Sequence, residues 1–348
     1  MKIDAYIVSP NMPILDVMKQ IDKNGQGIVY VCDENKALCG AITDGDVRRA
    51  ILQTGDLNTK AIDIMFKEPI VLSRQDKDSV SIVMHQKMVR SIPIVDDAYR
   101  IIDIYFQDDR LTPVIKKVDA PVAIMAGGKG TRLQPYTSVL PKPLIPIGNK
   151  TITEHIMDRF TKAGCSHFDL IVNYKKNFIK SYFNELDDKP DISYYEEEQY
   201  FGTAGGLRLL IGKYNESFFM TNCDILVEAD YSDIMEFHKT NDYIATIVGA
   251  INNTTLPYGV LNTTLEGRIT SIVEKPNISS IVNTGFYVLT PEFLDKIPVG
   301  KISNITDVLQ SCIDEGLKIG MYPISEERWM DMGQMDELQK MLDRFDGV

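Results

Sequence analysis

From residue 122 onward, the chain alternates between two patterns of apolar and polar positions. Short runs of consecutive apolar residues are typical of strands buried on both faces, and apolar positions three and four residues apart are typical of helices. The predicted strands lie at residues 122–126, 168–173, 192–197, 218–220 and 243–251. The predicted helices lie at 152–160, 176–185, 204–210, 233–239, 305–315 and 335–345. This order predicts a doubly wound α/β domain with a mixed, mostly parallel sheet.

The stretch from 258 to 288 follows a different pattern. It is rich in strand-forming residues and has turn signals at Glu266-Gly267 and Pro276-Asn277. β-branched residues favour strands, and Gly, Pro and Asn favour the turns between them. We therefore predict a second, mixed sheet here that covers the functional site.

The N-terminal part contains an internal repeat. The apolar run at 28–33 is echoed at 92–97, and each copy follows an amphipathic, helix-like stretch. We predict two related modules at residues 1–60 and 61–117, and one further domain at 118–348. The solvated segment before Pro121 is the predicted linker, because proline disfavours helix in the residue that precedes it.

Composition and charge restrict the class of protein. The 348 residues are 44% hydrophobic and 25% charged, as in globular proteins of two or three domains. No run reaches the roughly 18 apolar residues of a membrane span, and the N-terminus lacks the apolar core of a signal peptide. Five scattered cysteines without metal-ligand spacing indicate reduced thiols. We predict a cytoplasmic protein that binds no membrane, and the net charge of −12 argues against nucleic acid.

The loop after the strand at 122–126 is the most informative segment. Glycines allow backbone N–H groups to approach an anion, and arginine and lysine complement phosphates. The spacing matches neither a P-loop nor a dinucleotide-binding fingerprint. We predict a triphosphate site here, with an ordinary strand–loop–helix junction as the alternative. The residues concerned are Ala126, Gly127, Gly128, Gly130, Thr131, Arg132 and Lys142.

Asp224 follows the predicted strand at 218–220, at the end where open α/β sheets place their sites. Mg²⁺ prefers carboxylate and phosphate oxygens, so Asp224 is a candidate ligand for it. An aspartate at a strand end is also a common turn or cap residue, and this alternative stays open.

The loop resembles the signature of the sugar-1-phosphate nucleotidyltransferases, which is roughly G-G-x-G-T-R-L followed after a short spacer by P-K-P. The resemblance covers about residues 122–346 and implies a Rossmann-like domain that joins an NTP to a sugar 1-phosphate and releases pyrophosphate. It implies catalytic roles for Arg132, Lys142 and Lys275, the last in an E-K-P element. Asp331, in a W-x-D-x-G element, would be the second Mg²⁺ ligand beside Asp224.

The same resemblance implies the remaining substrate contacts. Sugar-binding residues would be Gly205, Glu274 and Asn283, and Gly202 and Thr203 would belong to the NTP site, with Thr203 capping its helix. Purine-specific relatives use a carboxylate just before this helix for guanine. Glu198 or Glu197 could take that role, with a solvated acidic edge as the alternative. Relatives usually have Pro-Leu where this chain has Tyr200-Phe201.

Residues 1–115 resemble a tandem pair of CBS domains, which are βαββα modules that often bind adenosine-type ligands. The G-x-x-T-D-G-D-x-R element at 40–48 implies that Thr43 and Asp46 contact ribose and phosphate. The second copy departs from this pattern, with Phe106 in place of the threonine. A regulatory nucleotide and a purely scaffolding role therefore both remain open. CBS pairs often associate face to face, which implies a homodimer or a higher homo-oligomer.

The combination of both parts resembles the CBS-fused guanylyltransferases of bacterial legionaminic acid biosynthesis. It implies GTP and glucosamine 1-phosphate as substrates, for a surface glycan. The alternatives are mannose 1-phosphate with GTP, or glucose 1-phosphate with dTTP, UTP or CTP. A nucleotide-sensing regulator with an inactive transferase domain is the alternative from another class, and the intact set of charged residues argues against it.

Overall fold

The computed structural model describes residues 3–87, 89–106 and 117–346. The chain divides into two units, Met1–Ile115 and Lys116–Val348, which are treated separately below. None of the helices in the described ranges is both long enough and apolar enough to cross a membrane.

The first unit contains the same strand arrangement twice. In each half, a short strand pairs in parallel with a middle strand, which pairs antiparallel with a third strand. The two middle strands contain the repeated apolar run. The strands are β1 (Ile7–Val8), β2 (Ile28–Cys32), β3 (Leu38–Thr43), β4 (Leu72–Ser73), β5 (Ser91–Val95) and β6 (Ile101–Phe106). The helices are α1 (Ile14–Asn24), α2 (Asp44–Thr54), α3 (Ala61–Ile64) and α4 (Val80–Lys87).

The second unit is built on one large sheet with helices on both faces. Its strands are β7 (Val122–Ala126), β8 (Pro146–Ile147), β9 (Lys150–Thr151), β10 (His167–Val172), β11 (Asp191–Glu196), β12 (Phe218–Asn222), β13 (Ile225–Val227), β14 (Ala245–Thr255), β15 (Val260–Thr263), β16 (Ile269–Val273), β17 (Asn277–Leu289), β18 (Ile319–Ser325) and β19 (Trp329–Asp331). Its helices are α5 (Tyr136–Val139), α6 (Ile152–Ala163), α7 (Lys176–Asn184), α8 (Gly202–Gly205), α9 (Tyr231–Thr240), α10 (Pro291–Asp295), α11 (Ile305–Asp314) and α12 (Met335–Asp346). The 3-10 helices of both units are Ile3–Tyr6, Arg74–Ser79, Thr131–Leu133, Lys142–Leu144, Gly206–Leu210 and Glu326–Arg328.

The large sheet has seven strands in the order β11-β10-β7-β12-β17-β14-β18. β17 pairs antiparallel with both of its neighbours, and every other pairing is parallel. The predicted mixed, mostly parallel α/β sheet is therefore confirmed. Helices pack on both faces because successive residues of a buried strand point to opposite sides, as Ile124 and Met125 of β7 do by joining different apolar clusters.

The predicted separate sheet at 258–288 is wrong for its last part. Only β15 and β16 form a sheet of their own, whereas β17 lies inside the large sheet between β12 and β14. The reason is the continuous apolar run at 286–289, where every residue is buried. Such a run fits a strand covered on both faces better than one that faces solvent.

Helix α6 shows how local sequence signals position the elements. Thr151 accepts a hydrogen bond from Glu154 N at 3.3 Å, and Glu154 Oε2 accepts one from Thr151 N at 2.8 Å. This reciprocal pair satisfies N–H groups that a helix start leaves unpaired. The helix ends at Ala163, and the Gly164 that follows has a φ of 113°, which suits glycine.

His238, on α9, is a buried histidine that is held neutral. It is 1% exposed, and its Nδ1 lies 2.9 Å from Thr246 Oγ1 on β14. Its Nε2 is buried without a hydrogen-bond partner among the described residues. Burial lowers the pKa of His238 from 6.5 to about 4.

We expect this histidine to destabilise the second unit in mild acid. The unfolded chain binds the proton more tightly than the folded one, so stability is lost as pH falls from 6.5 toward 4. In H238Q, the loss of unfolding free energy between pH 7 and pH 5 should be smaller by about 2 kcal/mol. Urea unfolding followed by fluorescence of Trp329, the single tryptophan, measures it in this unit. Equal pH dependence in both proteins would contradict this assignment.

Candidate active site

The glycine-rich loop leaves β7 and enters the 3-10 helix Thr131–Leu133. Gly130 has a φ of 64°, and a Cβ there would lie 2.9 Å from Thr137 Cγ2 and 3.1 Å from Lys142 Cβ. Among the described residues, none accepts a hydrogen bond from the N–H groups of Gly128, Lys129 and Thr131. The loop therefore presents several unpaired donors, an arrangement that suits an anion.

These residues line a cavity of about 500 Å³, the glycine-loop cavity, which is of the size of small-molecule sites. The predicted site residues on its wall are Gly127, Gly128, Gly130, Thr131, Arg132, Lys142, Gly202, Thr203 and Asp224. Glu197, one of the two carboxylates considered for guanine, also lines it, and residues that the prediction did not include are Met125, Lys129, Leu133, Tyr200, Asn222, Cys223 and Gly333. Ala126 is buried at the end of β7 and does not line this cavity.

A buried ion pair joins two walls of the cavity. Lys142, which is 9% exposed, pairs through Nζ with Asp224 Oδ2. Lys142 begins the 3-10 helix Lys142–Leu144, and Asp224 follows β12. The pair therefore ties the glycine-rich loop region to the carboxyl end of a central strand.

Asp331 lies beside Asp224 although the two are far apart in sequence. It ends β19, where it pairs with Ile225, and its Oδ1 accepts a hydrogen bond from Gly333 N at 2.6 Å. Burial raises the pKa of Asp331, and the charge of Asp224 raises it further. Lys142 and Arg132 act in the opposite direction. Two mutually repelling carboxylates and two cations thus share one small volume.

This donor set fits a magnesium ion bound together with a phosphate. Within the described ranges, no group of three or more His, Cys, Asp or Glu side chains could hold a metal by itself. Mg²⁺ is commonly bound by one or two carboxylates and completes its coordination with substrate phosphates and water. Asp224 and Asp331, beside a loop with free N–H donors, meet that requirement.

Three consecutive glutamates stand at 196–198, and Glu197 is the one that is buried. Its Oε1 accepts a hydrogen bond from Phe201 N at 3.2 Å, and a Cβ on Gly127 would lie 2.6 Å from its Oε2. Burial raises the pKa of Glu197. Glu198, the other candidate from the sequence, is exposed and does not line the glycine-loop cavity. Strand parity could have distinguished them, because Glu197 continues the β11 face of Tyr195.

Close packing explains why glycine occupies positions 202 and 205 around α8. A Cβ on Gly202, which has a φ of 85°, would collide with Ser303 O. Gly205 is buried against Phe201 and lines a separate cavity of about 280 Å³. The predicted helix at 204–210 is the short α8 followed by the 3-10 helix Gly206–Leu210.

The prediction that Thr203 caps its own helix is wrong. Phe201 occupies the N-cap position of α8, and Thr203 Oγ1 accepts a hydrogen bond from Ile305 N at 3.0 Å, at the start of α11. The hydroxyl therefore satisfies a donor at the start of a different helix, while Thr203 still lines the glycine-loop cavity.

The residues predicted for the sugar phosphate lie outside the glycine-loop cavity. Glu274 and Lys275 are exposed just after β16, and Asn283 lies on β17 with its Nδ2 2.8 Å from Tyr287 Oη. Asn283 Oδ1 accepts a hydrogen bond from Gly285 N at 3.0 Å, and a Cβ on Gly285 would collide with Asn222 Nδ2. Asn283 is therefore hydrogen-bonded to Gly285, and Gly285 lies close to Asn222, which lines the cavity.

In the first unit, Thr43 and Asp46 form a capping box on α2. Asp46 Oδ2 accepts a hydrogen bond from Thr43 N at 2.9 Å, and Thr43 Oγ1 accepts one from Asp46 N at 3.3 Å. These bonds at the start of α2 are a sufficient reason for a threonine at 43 and an aspartate at 46. Their predicted contact with a nucleotide stays a prediction.

A model of the nucleotidyl transferase family matches residues 122–345, and a CBS domain model matches residues 1–53. The chain therefore belongs to the nucleotidyl transferase family, as its motifs predicted. The CBS match covers the first of the two repeated halves.

Two curated relatives illustrate the similarity. Mannose-1-phosphate guanyltransferase beta-A of Xenopus laevis is 34% identical over 219 residues, and the mannose-1-phosphate guanyltransferase of Schizosaccharomyces pombe is 33% identical over 222 residues. Each match covers 61% of this chain. The chain spans about 60% of the length of these relatives.

Solved structures support the same fold. HddC from Yersinia pseudotuberculosis matches with a TM-score of 0.52 at 24% identity, over 65% of this chain and 99% of that one. An apo UDP-glucose pyrophosphorylase matches with a TM-score of 0.50 at 19% identity, over 66% of this chain and 99% of that one. At these identities the likeness establishes the fold alone.

Lys175 forms hydrogen bonds with the segment that precedes Lys142. It has a φ of 53°, and its Nζ donates to Ser138 O and Val139 O, both at 2.7 Å, at the end of α5. A cation at a helix end satisfies carbonyls that have no partner within the helix. The adjacent Tyr174 N donates to Gly127 O at 3.4 Å, so this segment contacts both parts of the glycine-rich region.

We expect K175M to loosen the loop at 134–141, because three carbonyls, those of Thr137, Ser138 and Val139, lose a charged donor. The unfolding free energy should fall by about 1–2 kcal/mol, and limited proteolysis should cut the loop faster. K176M is the matched control, since Lys176 pairs at the surface with Glu196, which also binds Lys180. Surface pairs contribute about 0–1 kcal/mol. Equal effects of the two substitutions would refute the special role of Lys175.

Proposed function

We propose that this protein transfers a guanylyl group from GTP to the phosphate of a sugar 1-phosphate and releases pyrophosphate. The observation that carries the proposal is the buried Lys142–Asp224 pair, with Asp331 beside it and the glycine-rich loop above it. The named activity of the relatives supports guanine as the base.

The reaction needs positioning and charge compensation more than acid–base chemistry. A sugar phosphate is largely a dianion near neutral pH, since its second pKa is about 6, and it needs no general base. One of its oxygens bonds to the α-phosphorus of GTP while the bond to the pyrophosphate oxygen breaks. Two anions must approach, so cations have to surround them. Arg132 and Lys142 would neutralise the triphosphate, and Lys275 the sugar phosphate.

Asp224 and Asp331 would hold a magnesium ion against the triphosphate. When bound, that ion would neutralise charge on the phosphoryl oxygens and polarise the reacting phosphorus. Lys142 orients Asp224 through their ion pair. The N–H groups of Gly128, Lys129 and Thr131 would bind phosphate oxygens directly.

We assign the guanine contact to Glu197 instead of Glu198. Guanine offers two adjacent N–H donors on one edge, and a buried carboxylate with one oxygen toward the cavity accepts from such an edge. Glu274, Asn283 and Gly205 remain our candidates for the sugar, although none of them lines the glycine-loop cavity.

The acceptor sugar has two candidates. The combination with a CBS pair supports glucosamine 1-phosphate, for a surface glycan such as legionaminic acid. The names of the curated relatives support mannose 1-phosphate. We also propose a cytoplasmic enzyme, which the five free cysteines support, a homo-oligomer, and a nucleotide at Thr43 and Asp46 that regulates it.

Pyrophosphate release tests the proposal directly. GTP, ATP, CTP, UTP and dTTP are each combined with glucosamine, mannose, glucose and N-acetylglucosamine 1-phosphate in the presence of Mg²⁺. We expect one strong combination in the GTP row, and its acceptor decides between the two sugars. Strong activity in another row would overturn the choice of base. Silence in every combination would refute the transferase proposal.

Substitution of Asp224 by asparagine tests the metal assignment. D224N keeps the size of the side chain but removes the charge that would hold the ion and pair with Lys142. We expect turnover to fall by about 100-fold or more, with folding preserved by circular dichroism. D188N, at an exposed aspartate of the same unit, is the matched control. Near-normal pyrophosphate release from D224N would disprove the assignment.

A further inference from the structure

The turn after β11 is fixed at both ends. Glu197 N donates to Val172 O at 3.0 Å, and Glu197 Oε1 accepts from Phe201 N at 3.2 Å. Phe201 O accepts from Ser303 N at 2.8 Å. Tyr200 lies inside this closed turn, so the backbone that carries its ring is held in place.

Tyr200 is the aromatic residue on the wall of the glycine-loop cavity, where it is 46% exposed. Its neighbour Phe201 instead contacts Gly205, next to the smaller cavity. The two consecutive aromatic residues therefore have different environments, and only Tyr200 reaches the triphosphate-sized site.

The rest of the same wall leaves room for a flat group. Gly127 and Gly128 have no side chains, and a Cβ on Gly128 would meet no atom within 4 Å. Met125 adds an apolar surface, and the Glu197 carboxylate lies close to Gly127. An aromatic ring, an open glycine backbone and an acceptor for ring N–H groups are together the features that bind a nucleobase.

We propose that the Tyr200 ring stacks on the purine of the bound nucleotide and provides much of the affinity for the base. This inference rests on the proposed function for the presence of a nucleotide. The contribution is separate from the phosphate contacts of Arg132, Lys142 and the loop N–H groups.

Two ligands separate stacking from a merely structural role. GTP carries the base, whereas inorganic tripolyphosphate offers a comparable phosphate chain without one. Calorimetry with Mg²⁺ gives the Kd of each ligand for the wild type, Y200L and Y200F. F178L, at an exposed aromatic residue on α7 outside the cavity, is the matched control.

We expect Y200L to raise the Kd for GTP about tenfold, the scale of one lost base–aromatic stack, and to leave tripolyphosphate binding unchanged. Y200F and F178L should bind GTP like the wild type. Equal weakening of both ligands in Y200L, or no weakening of GTP, would overturn the stacking role while the proposed function stands. If wild-type protein bound neither ligand, the proposed function would fall and this inference with it.

Discussion

The ion pair between Lys142 and Asp224 is the interaction on which the rest of the site depends. Burying a lone charge at this depth is unfavourable by several kcal/mol, and pairing of the two side chains offsets that cost. The pair therefore requires that the P-K-P segment and the carboxyl end of β12 meet. Gly130 permits that approach, because a Cβ there would press on the Lys142 side chain. The hydroxyl of Thr137 donates to Gly130 O at 2.8 Å and fixes the loop in this position.

The same pair bears on how an acidic protein would receive the triphosphate that we propose as its substrate. The chain has a net charge of −12, so an incoming polyanion meets repulsion over most of the surface. In the cavity, however, Lys142 already neutralises Asp224, and Arg132 offsets the charge of Asp331. Loop N–H groups add partial positive charge without adding a titratable group. Positive and negative charge are thus balanced within the cavity itself. A divalent cation between the carboxylates would make the cavity more favourable for an anionic substrate.

Residues of the first unit show how one motif can have two explanations. The T-D-G-D element forms a complete capping box on α2, which is sufficient reason for a threonine and an aspartate three residues apart. The same spacing is what the resemblance to CBS domains connects with a nucleotide. Capping of the helix and binding of a nucleotide would thus use the same two side chains. The helix start by itself therefore explains the threonine and the aspartate, and the match to the family covers one of the two halves.

Sequence alone determined the features that depend on neighbouring residues. The apolar periodicity identified the α/β layer and the helix at 152–160, and the glycine-rich loop with its P-K-P element indicated the family. Tertiary structure decided what depends on distant partners. It placed β17 within the large sheet, buried Glu197 while leaving Glu198 exposed, and directed the hydroxyl of Thr203 to the start of α11. Periodicity and capping act over a few residues, whereas strand order and the burial of one carboxylate depend on which segments pack together.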